Sequence, residues 1–271
     1  MKSIIYMAFI TGVGLSTVLS ATAEELTAYQ IMKKVDERYD GDTSTANSSM
    51  ILIDARDRQR VRDLKIYTKD YGDNSKGISF FESPADIKGT AYLNYDWDEE
   101  GKEDDSWLYL PALQKVKRIA AGDKSDPFLG SDFSYADING LELDWYHYSI
   151  INASDPVDGA DCWVIEVVPK AEFKDKAEET TGYEKSQTWI RKDNFISVRG
   201  KIWVKRGNKV KYYSASDIRQ IDGIWTAMKL QMITTKNDKR EHASIIQYHD
   251  ITYNEPLSDE MFSTEAMQRG I

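Results

Sequence analysis

Apolar residues first recur at helical spacing. Ala28, Ile31, Met32, Val35 and Tyr39 fall on one face of a helix. Thr27 and Gln30 have the spacing of a capping box, in which each side chain satisfies a free backbone N–H. Asp40-Gly41 marks the expected end. Such a helix must lie on apolar surface. From about Ser48 the period shortens. Segments 50–53, 61–68, 78–81, 90–95, 106–110 and 116–119 are β-branched or aromatic and are broken by turn residues. After a central loop come 145–151, 162–168, 187–191, 197–205, 210–218, 225–234 and 244–253. Asp193-Asn194, Gly207-Asn208, Asp222-Gly223 and Asn237-Asp238 mark tight turns between them. Short connections imply antiparallel neighbours. About a dozen such strands predict one large antiparallel sheet that curls or closes to limit its open edges. From Ser258 a short C-terminal helix is expected, with Asp259 and Glu260 in its first turn.

Two strands break the usual alternation. Met50-Ile51-Leu52-Ile53 and Trp163-Val164-Ile165 are apolar on both faces, whereas a half-exposed antiparallel strand alternates. Both faces must be covered or must line something. The pattern leaves a ligand cavity and a sandwich core as alternatives.

The first residues bear on compartment. Lys2 precedes an apolar run over residues 4–19, and Ala21-Thr22-Ala23 stands before Glu24-Glu25. This is the pattern of a cleaved secretory signal. The run is shorter than the roughly 20 apolar residues of a membrane anchor. Cleavage after Ala23 would leave residues 24–271 as a single domain without a transmembrane segment, one charge more negative than the −10 of the whole chain. Surplus acid argues against nucleic acid and anionic membrane surfaces as general partners. Cys162, the single cysteine, cannot form an internal disulfide and reads as a small buried hydrophobe.

Catalytic signatures are sparse. His147, His242 and His249 are scattered, and His242 and His249 face opposite ways on an extended strand. Gly130-Ser131-Asp132 lacks the second glycine of a nucleophile elbow. Asp96, Asp98 and Glu100 with Gly101 match the start of a calcium loop, but its twelfth position is Trp107. A solvated hairpin tip accounts for 96–105 more simply. No catalytic residue, cofactor or metal site is therefore expected. An enzyme acting on lipids or glycans would need converging acids such as Asp132 and Asp137.

Residues 107–135 offer aromatic and apolar surface beside cationic groups. Tyr and Trp set an apolar body beside a polar tip and suit the rim of an amphiphile site. Trp107, Tyr109, Phe128, Phe133 and Tyr135 are the residues expected to line or gate a hydrophobic cavity, and Arg118 its polar anchor. Core packing is the competing reading for the same residues.

Several blocks in this order resemble a known family. They are Phe80-Phe81-Glu82-Ser83-Pro84, Gly89-Thr90-Ala91-Tyr92-Leu93, Trp107-Leu108-Tyr109-Leu110-Pro111, Lys117-Arg118-Ile119 and Phe128-Leu129-Gly130-Ser131-Asp132-Phe133-Ser134-Tyr135. Asp222-Gly223-Ile224-Trp225 and the Tyr253, Met261-Phe262 ending fit as well. Together they resemble the outer membrane lipoprotein-sorting protein family, related to the LolA/LolB lipoprotein carriers and often found beside RND/MMPL-type exporters. The resemblance is strongest over about 78–137. It implies a mostly β (α+β) fold: a strongly curved antiparallel sheet forming an incomplete β-barrel, with an N-terminal helix and short helices over the open side. It also implies a periplasmic, non-enzymatic carrier of lipid-modified or lipid-like cargo, working between an inner-membrane exporter and the outer membrane. A non-transporting accessory subunit of the exporter is the alternative and would have a filled barrel.

Overall fold

In the computed structural model, residues 25–99, 102–140 and 142–270 are described. The expected signal peptide lies outside them. All the expected strand segments form strands: β1 (Thr43–Asp54), β2 (Gln59–Tyr71), β3 (Asn74–Ser83), β4 (Ala91–Asp96), β5 (Asp105–Leu110), β6 (Lys115–Arg118), β7 (Tyr146–Asn152), β8 (Cys162–Pro169), β9 (Tyr183–Arg191), β10 (Ser197–Val204), β11 (Lys209–Ile221), β12 (Ile224–Lys236) and β13 (Lys239–Tyr253). They build one antiparallel sheet in the order β6-β5-β4-β3-β2-β1-β13-β12-β11-β10-β9-β8-β7. The four predicted turns stand at the expected connections of β9 through β13.

Two meanders run outward from the central β1–β13 pair. The first ends at edge strand β6 and the second at edge strand β7. The sheet is curved and open, not closed. Seven strand spacings separate β3 from β9, about 34 Å if the sheet were flat. Residues of both nevertheless line one cavity, so the sheet wraps into a trough.

β1 begins seven residues before the predicted segment, at Thr43. Polar residues such as Ser44, Asn47 and Ser49 have no strong strand signal. They are held because β1 is central and pairs with β2 and β13 on its two sides. Ladder hydrogen bonds override propensity there.

α1 (Ala28–Asp36) carries the predicted capping box: the Gln30 amide donates to Thr27 Oγ1 at 3.2 Å, and the Thr27 amide to Gln30 Oε1 at 2.8 Å. The helix stops four residues earlier than Asp40. Arg38 Nη1 donates to the Trp225 carbonyl at 3.0 Å, and Tyr39, expected on the apolar face, is exposed. Ala28 and Ile31 are buried against Tyr146, Ile165 and Ile190, which anchors α1 over the β7 edge.

The two faces of the sheet have different cover. Met50 and Leu52 face the trough, among Leu64, Phe81 and Ile246. On the convex face, Tyr67, Ile78, Phe80 and Leu93 lie under Phe262 and Met267. Met267 belongs to α4 (Thr264–Arg269), capped by Ser263. The expected C-terminal helix is thus a 3-10 turn at Asp259–Met261 followed by α4. Cys162 is fully buried, and burial pushes its thiol up.

At the base of the 96–105 hairpin the acids are less solvated than expected, while Asp98, Glu99, Lys102 and Glu103 are exposed. Asp104 is nearly buried and faces Lys124 at 3.7 Å. Burial, and then the charge of Asp104, push the Asp96 carboxyl up to about 7. Burial likewise raises Asp36 and Glu142, which sit near the same acids. Carboxyls raised in this way hold protons in the folded chain that the unfolded chain has released. Stability therefore rises as pH falls from about 8 through 7 and levels off towards the ordinary carboxylate range near 4. Asp96→Asn should raise Tm at pH 8 by a few degrees and flatten the profile between about pH 7 and 4. An unchanged profile would remove Asp96 as its source.

Candidate functional site

Residues 119–145 connect the two edge strands, and they do so by crossing the open side of the trough. This strap and α1 roof a cavity of about 620 Å³, within the usual 300–1,000 Å³ of ligand pockets. Met50, Leu64, Ile66, Met232 and Ile246 form one wall, and Val167, Ile190 and Ile202 another. Met32 and Val35 of α1 close one side, while Phe128, Phe133 and Ile138 of the strap close the other. Tyr213 and Tyr248 also line the cavity. Burial raises both phenols, Tyr248 to about 12, so they stay protonated. A ligand would meet largely apolar walls with these phenols and further polar side chains, among them Ser186, Thr188 and Asn94, set into them.

Strap geometry follows from local sequence. The Phe128 amide donates to the Phe133 carbonyl at 2.7 Å, closing a tight turn. Gly130 takes φ 78° in it, a conformation glycine adopts freely. Ser134 and Asp137 then form a capping box at the start of α2 (Tyr135–Asn139).

Polar contacts fasten this strap to the sheet. Ser244 Oγ donates to Asp132 Oδ2 at 2.7 Å, and His242 Nδ1 lies 2.6 Å from the same oxygen. The Asp132 side chain is 2% exposed. Tyr183 Oη donates to Asp137 Oδ2 at 2.7 Å, and Lys211 Nζ donates to Tyr183 Oη at 2.8 Å. Tyr183 projects from β9, beside α3 (Lys174–Thr181). Burial, then the Asp137 charge, holds its phenol far above the ordinary value. Asn139 accepts from Tyr92 Oη at 2.6 Å and donates to Ser106 Oγ at 2.9 Å. Asp132 and Asp137 are therefore each bonded to their own donors, on different strands. The histidines do not converge: His249 is bonded to Ser49 on the other face.

The residues singled out by sequence separate into three groups. Phe128 and Phe133 line the cavity. Tyr135 is buried behind it, its ring 5.3 Å from Phe128 and 5.5 Å from Tyr92. Trp107 and Tyr109 stand on the convex face with Val116, against Phe262 and Met267. Their alternation partner Leu108 points to the trough instead. Arg118 is 61% exposed, and its Nε donates to Asp105 at 3.0 Å. Its register opposite Trp107 puts it on the same outer face. The expected inward anchor is therefore an outward ion pair.

A family model described only as an uncharacterized protein matches residues 73–269. A domain from Vibrio parahaemolyticus assigned to outer membrane lipoprotein sorting is 27% identical, with a TM-score of 0.78 over 89% of this chain and 98% of its own. A DUF1329 family protein from Desulfovibrio piger is 29% identical, also with a TM-score of 0.78, over 89% and 97%. The chain belongs to the family of this model, of the DUF1329 type, whose solved members include outer membrane lipoprotein-sorting-like domains. A LolA superfamily protein from Nitrosomonas europaea shares the family fold at 19% identity, with a TM-score of 0.65 over 89% of this chain and all of its own. No curated protein matches the chain. In this family member, no helix among the described residues is long and apolar enough to cross a membrane.

The lining residues missed by sequence, such as Ile202, Tyr213, Met232 and Tyr248, come from β10 to β13. A period-2 reading marks them as one face of each strand. It does not say which face turns inward.

Proposed function

We propose that this protein is a periplasmic carrier for a lipid-modified or lipid-like molecule, moved between an inner-membrane RND/MMPL-type exporter and the outer membrane. The roofed apolar cavity of about 620 Å³ carries the reading. An acyl chain in water costs about 0.8 kcal/mol per exposed CH₂, so a soluble shuttle must enclose it. An accessory subunit with a filled barrel would not keep this space. Family relatives assigned to lipoprotein sorting add support, and the signal-like N-terminus fits the compartment. The separate hydrogen-bond partners of Asp132 and Asp137 favour a binding protein over an enzyme.

Mass spectrometry of organic extracts from protein purified out of its native periplasm is expected to find a bound amphiphile. Repeatedly empty protein that also fails to bind a fluorescent acyl probe would sink the proposal. Capture of the exporter's periplasmic domains by protein that binds no lipid would favour the accessory role.

A further inference from the structure

Beyond the strap turn lies a second space. It has a volume of about 480 Å³ and is lined by Leu52, Asp54, Arg58, Arg60, Arg62 and His242, with Gly130 of the turn above. The turn stands between this pocket and the cavity: Phe128 and Phe133 line one, Gly130 the other. The two spaces share a wall. Along the inward face of β2, alternate residues read Arg60, Arg62, Leu64, Ile66, Thr68, so one strand passes from cationic to apolar in about 7 Å per step. Across from them on β1, Arg60 pairs with Leu52 and Arg62 with Met50, which lines the cavity. Arg62 thus stands at the junction.

The charges here are unequally used. Arg58 is paired with Asp54 at 2.6 Å. Asp132 of the strap is occupied by His242 and Ser244. Arg62 Nη1 donates to the Leu129 carbonyl at 2.6 Å. Among the described residues, neither Arg60 nor Arg62 has a carboxylate within ion-pair distance. Arg62 is half-buried, and burial lowers its pKa. Arg60 is exposed and Arg62 feels only the longer-range charge of Asp86, so the two adjacent guanidinium groups, in a chain of net charge −10, are free to take an anion from outside. Their planar forks match the oxygen geometry of a carboxylate or a phosphate.

We propose that the arginine pocket receives the oxyanion head group, phosphate or carboxylate, of an amphiphilic cargo whose chain occupies the cavity. This rests on the carrier reading and assigns its cargo class. Cargo would lie along β2 with its head at Arg60 and Arg62 and its tail at Leu64 and Ile66. The strap turn would close over the joint between head and tail.

Displacement of a bound fluorescent acyl probe tests it with dodecyl phosphate, dodecanol and inorganic phosphate. Dodecyl phosphate should displace the probe at a concentration at least about tenfold lower than dodecanol, a difference of about 1.4 kcal/mol. Inorganic phosphate should displace nothing. Arg60→Gln with Arg62→Gln should erase the advantage of the phosphate and leave dodecanol unchanged. Arg62 also holds the strap through Leu129, so Arg60→Gln alone provides the second variant; it should erase part of the advantage at unchanged Tm. Equal potency of dodecyl phosphate and dodecanol would overturn the head-group site and leave the carrier standing. So would an advantage that survives both substitutions. Stabilisation of the protein by inorganic phosphate as strong as that by dodecyl phosphate would mark a free-anion site and overturn it too. A protein that never binds the probe would instead bring down the carrier reading, and the head-group site with it.

Discussion

Ser186→Trp is expected to weaken binding of a fluorescent acyl probe by at least about tenfold, with Tm held within a few degrees. Ser186 lies on β9 opposite Val167 and lines the cavity. Its hydroxyl has no hydrogen-bond partner among the described residues, so substitution breaks no polar contact. An indole there occupies space an acyl chain would use. Each CH₂ left in water costs about 0.8 kcal/mol, so excluding two methylenes already exceeds the 1.4 kcal/mol of a tenfold loss. Ile202→Trp, on β10 in the same wall, provides a second obstruction from a different strand. A contrast comes from the convex face. Trp107 packs on Tyr95 with ring centroids 5.0 Å apart, outside the cavity. Trp107→Ala should lower stability by about 2 kcal/mol and leave probe affinity unchanged. The idea fails if the two cavity variants bind normally, or if Trp107→Ala abolishes binding in a folded protein.

Asp137→Ala should cost about 4 kcal/mol of unfolding free energy, read by denaturant titration. The Asp137 and Lys211 side chains are 12% and 13% exposed, and Tyr183 joins them. Removing the carboxylate leaves an ammonium buried without its counter-charge, a loss usually of 3–5 kcal/mol. It also removes the second half of the α2 capping box, worth about 1 kcal/mol. Tyr183→Phe deletes one hydroxyl and keeps the ring, so about 1 kcal/mol is expected. Because these bonds fasten the strap, Asp137→Ala should also speed release of bound probe more than it changes probe capacity. Equal stability of Asp137→Ala and the parent would show that the Asp137 network does not hold the strap.

That aromatic side joins residues far apart in sequence. Phe128 meets Tyr92 at 5.1 Å and 75°, an edge-to-face pair, so the strap is seated on β4 by apolar contact and tied to β9, β11 and β13 by polar contact. Carriers must open to load. The strap is a single connection between the two sheet edges, so its release uncovers the trough without disturbing a strand ladder.

Much of this architecture was legible in the chain. The strand segments, the turns at Asp193-Asn194, Gly207-Asn208, Asp222-Gly223 and Asn237-Asp238, and the Thr27–Gln30 capping box are local: each depends on residues within one element or one turn. The doubly apolar run at 163–165 is covered on both faces, whereas in 50–53 Met50 and Leu52 are buried while Ile51 and Ile53 on the outer face stay half-exposed. The site was less legible. Phe128 and Phe133 lie in a turn whose position is set by its hydrogen bonds, and they reach the cavity. Trp107 and Tyr109 alternate with Leu108 and Leu110, and period-2 alternation is symmetric between the faces. Chemical type favoured the aromatic face as the ligand side. The C-terminal segment decided otherwise, because Phe262 and Met267 cover the convex surface and claim those aromatics. Arg118 shares their face and went outward with them.

What the sequence by itself determined is a long antiparallel meander with a capped amphipathic helix before it, and a chain without a familiar catalytic motif. These follow from period, turn chemistry and residue type, which act over a few residues. Only the tertiary structure decided which face is concave, that residues 119–145 cross the open side, and which polar groups meet. Asp132 finds Ser244 at a separation of 112 residues, and Asp137 finds Tyr183 at 46. Such pairings depend on how far the sheet curls, and curl is the summed twist of thirteen strands; no one segment encodes it.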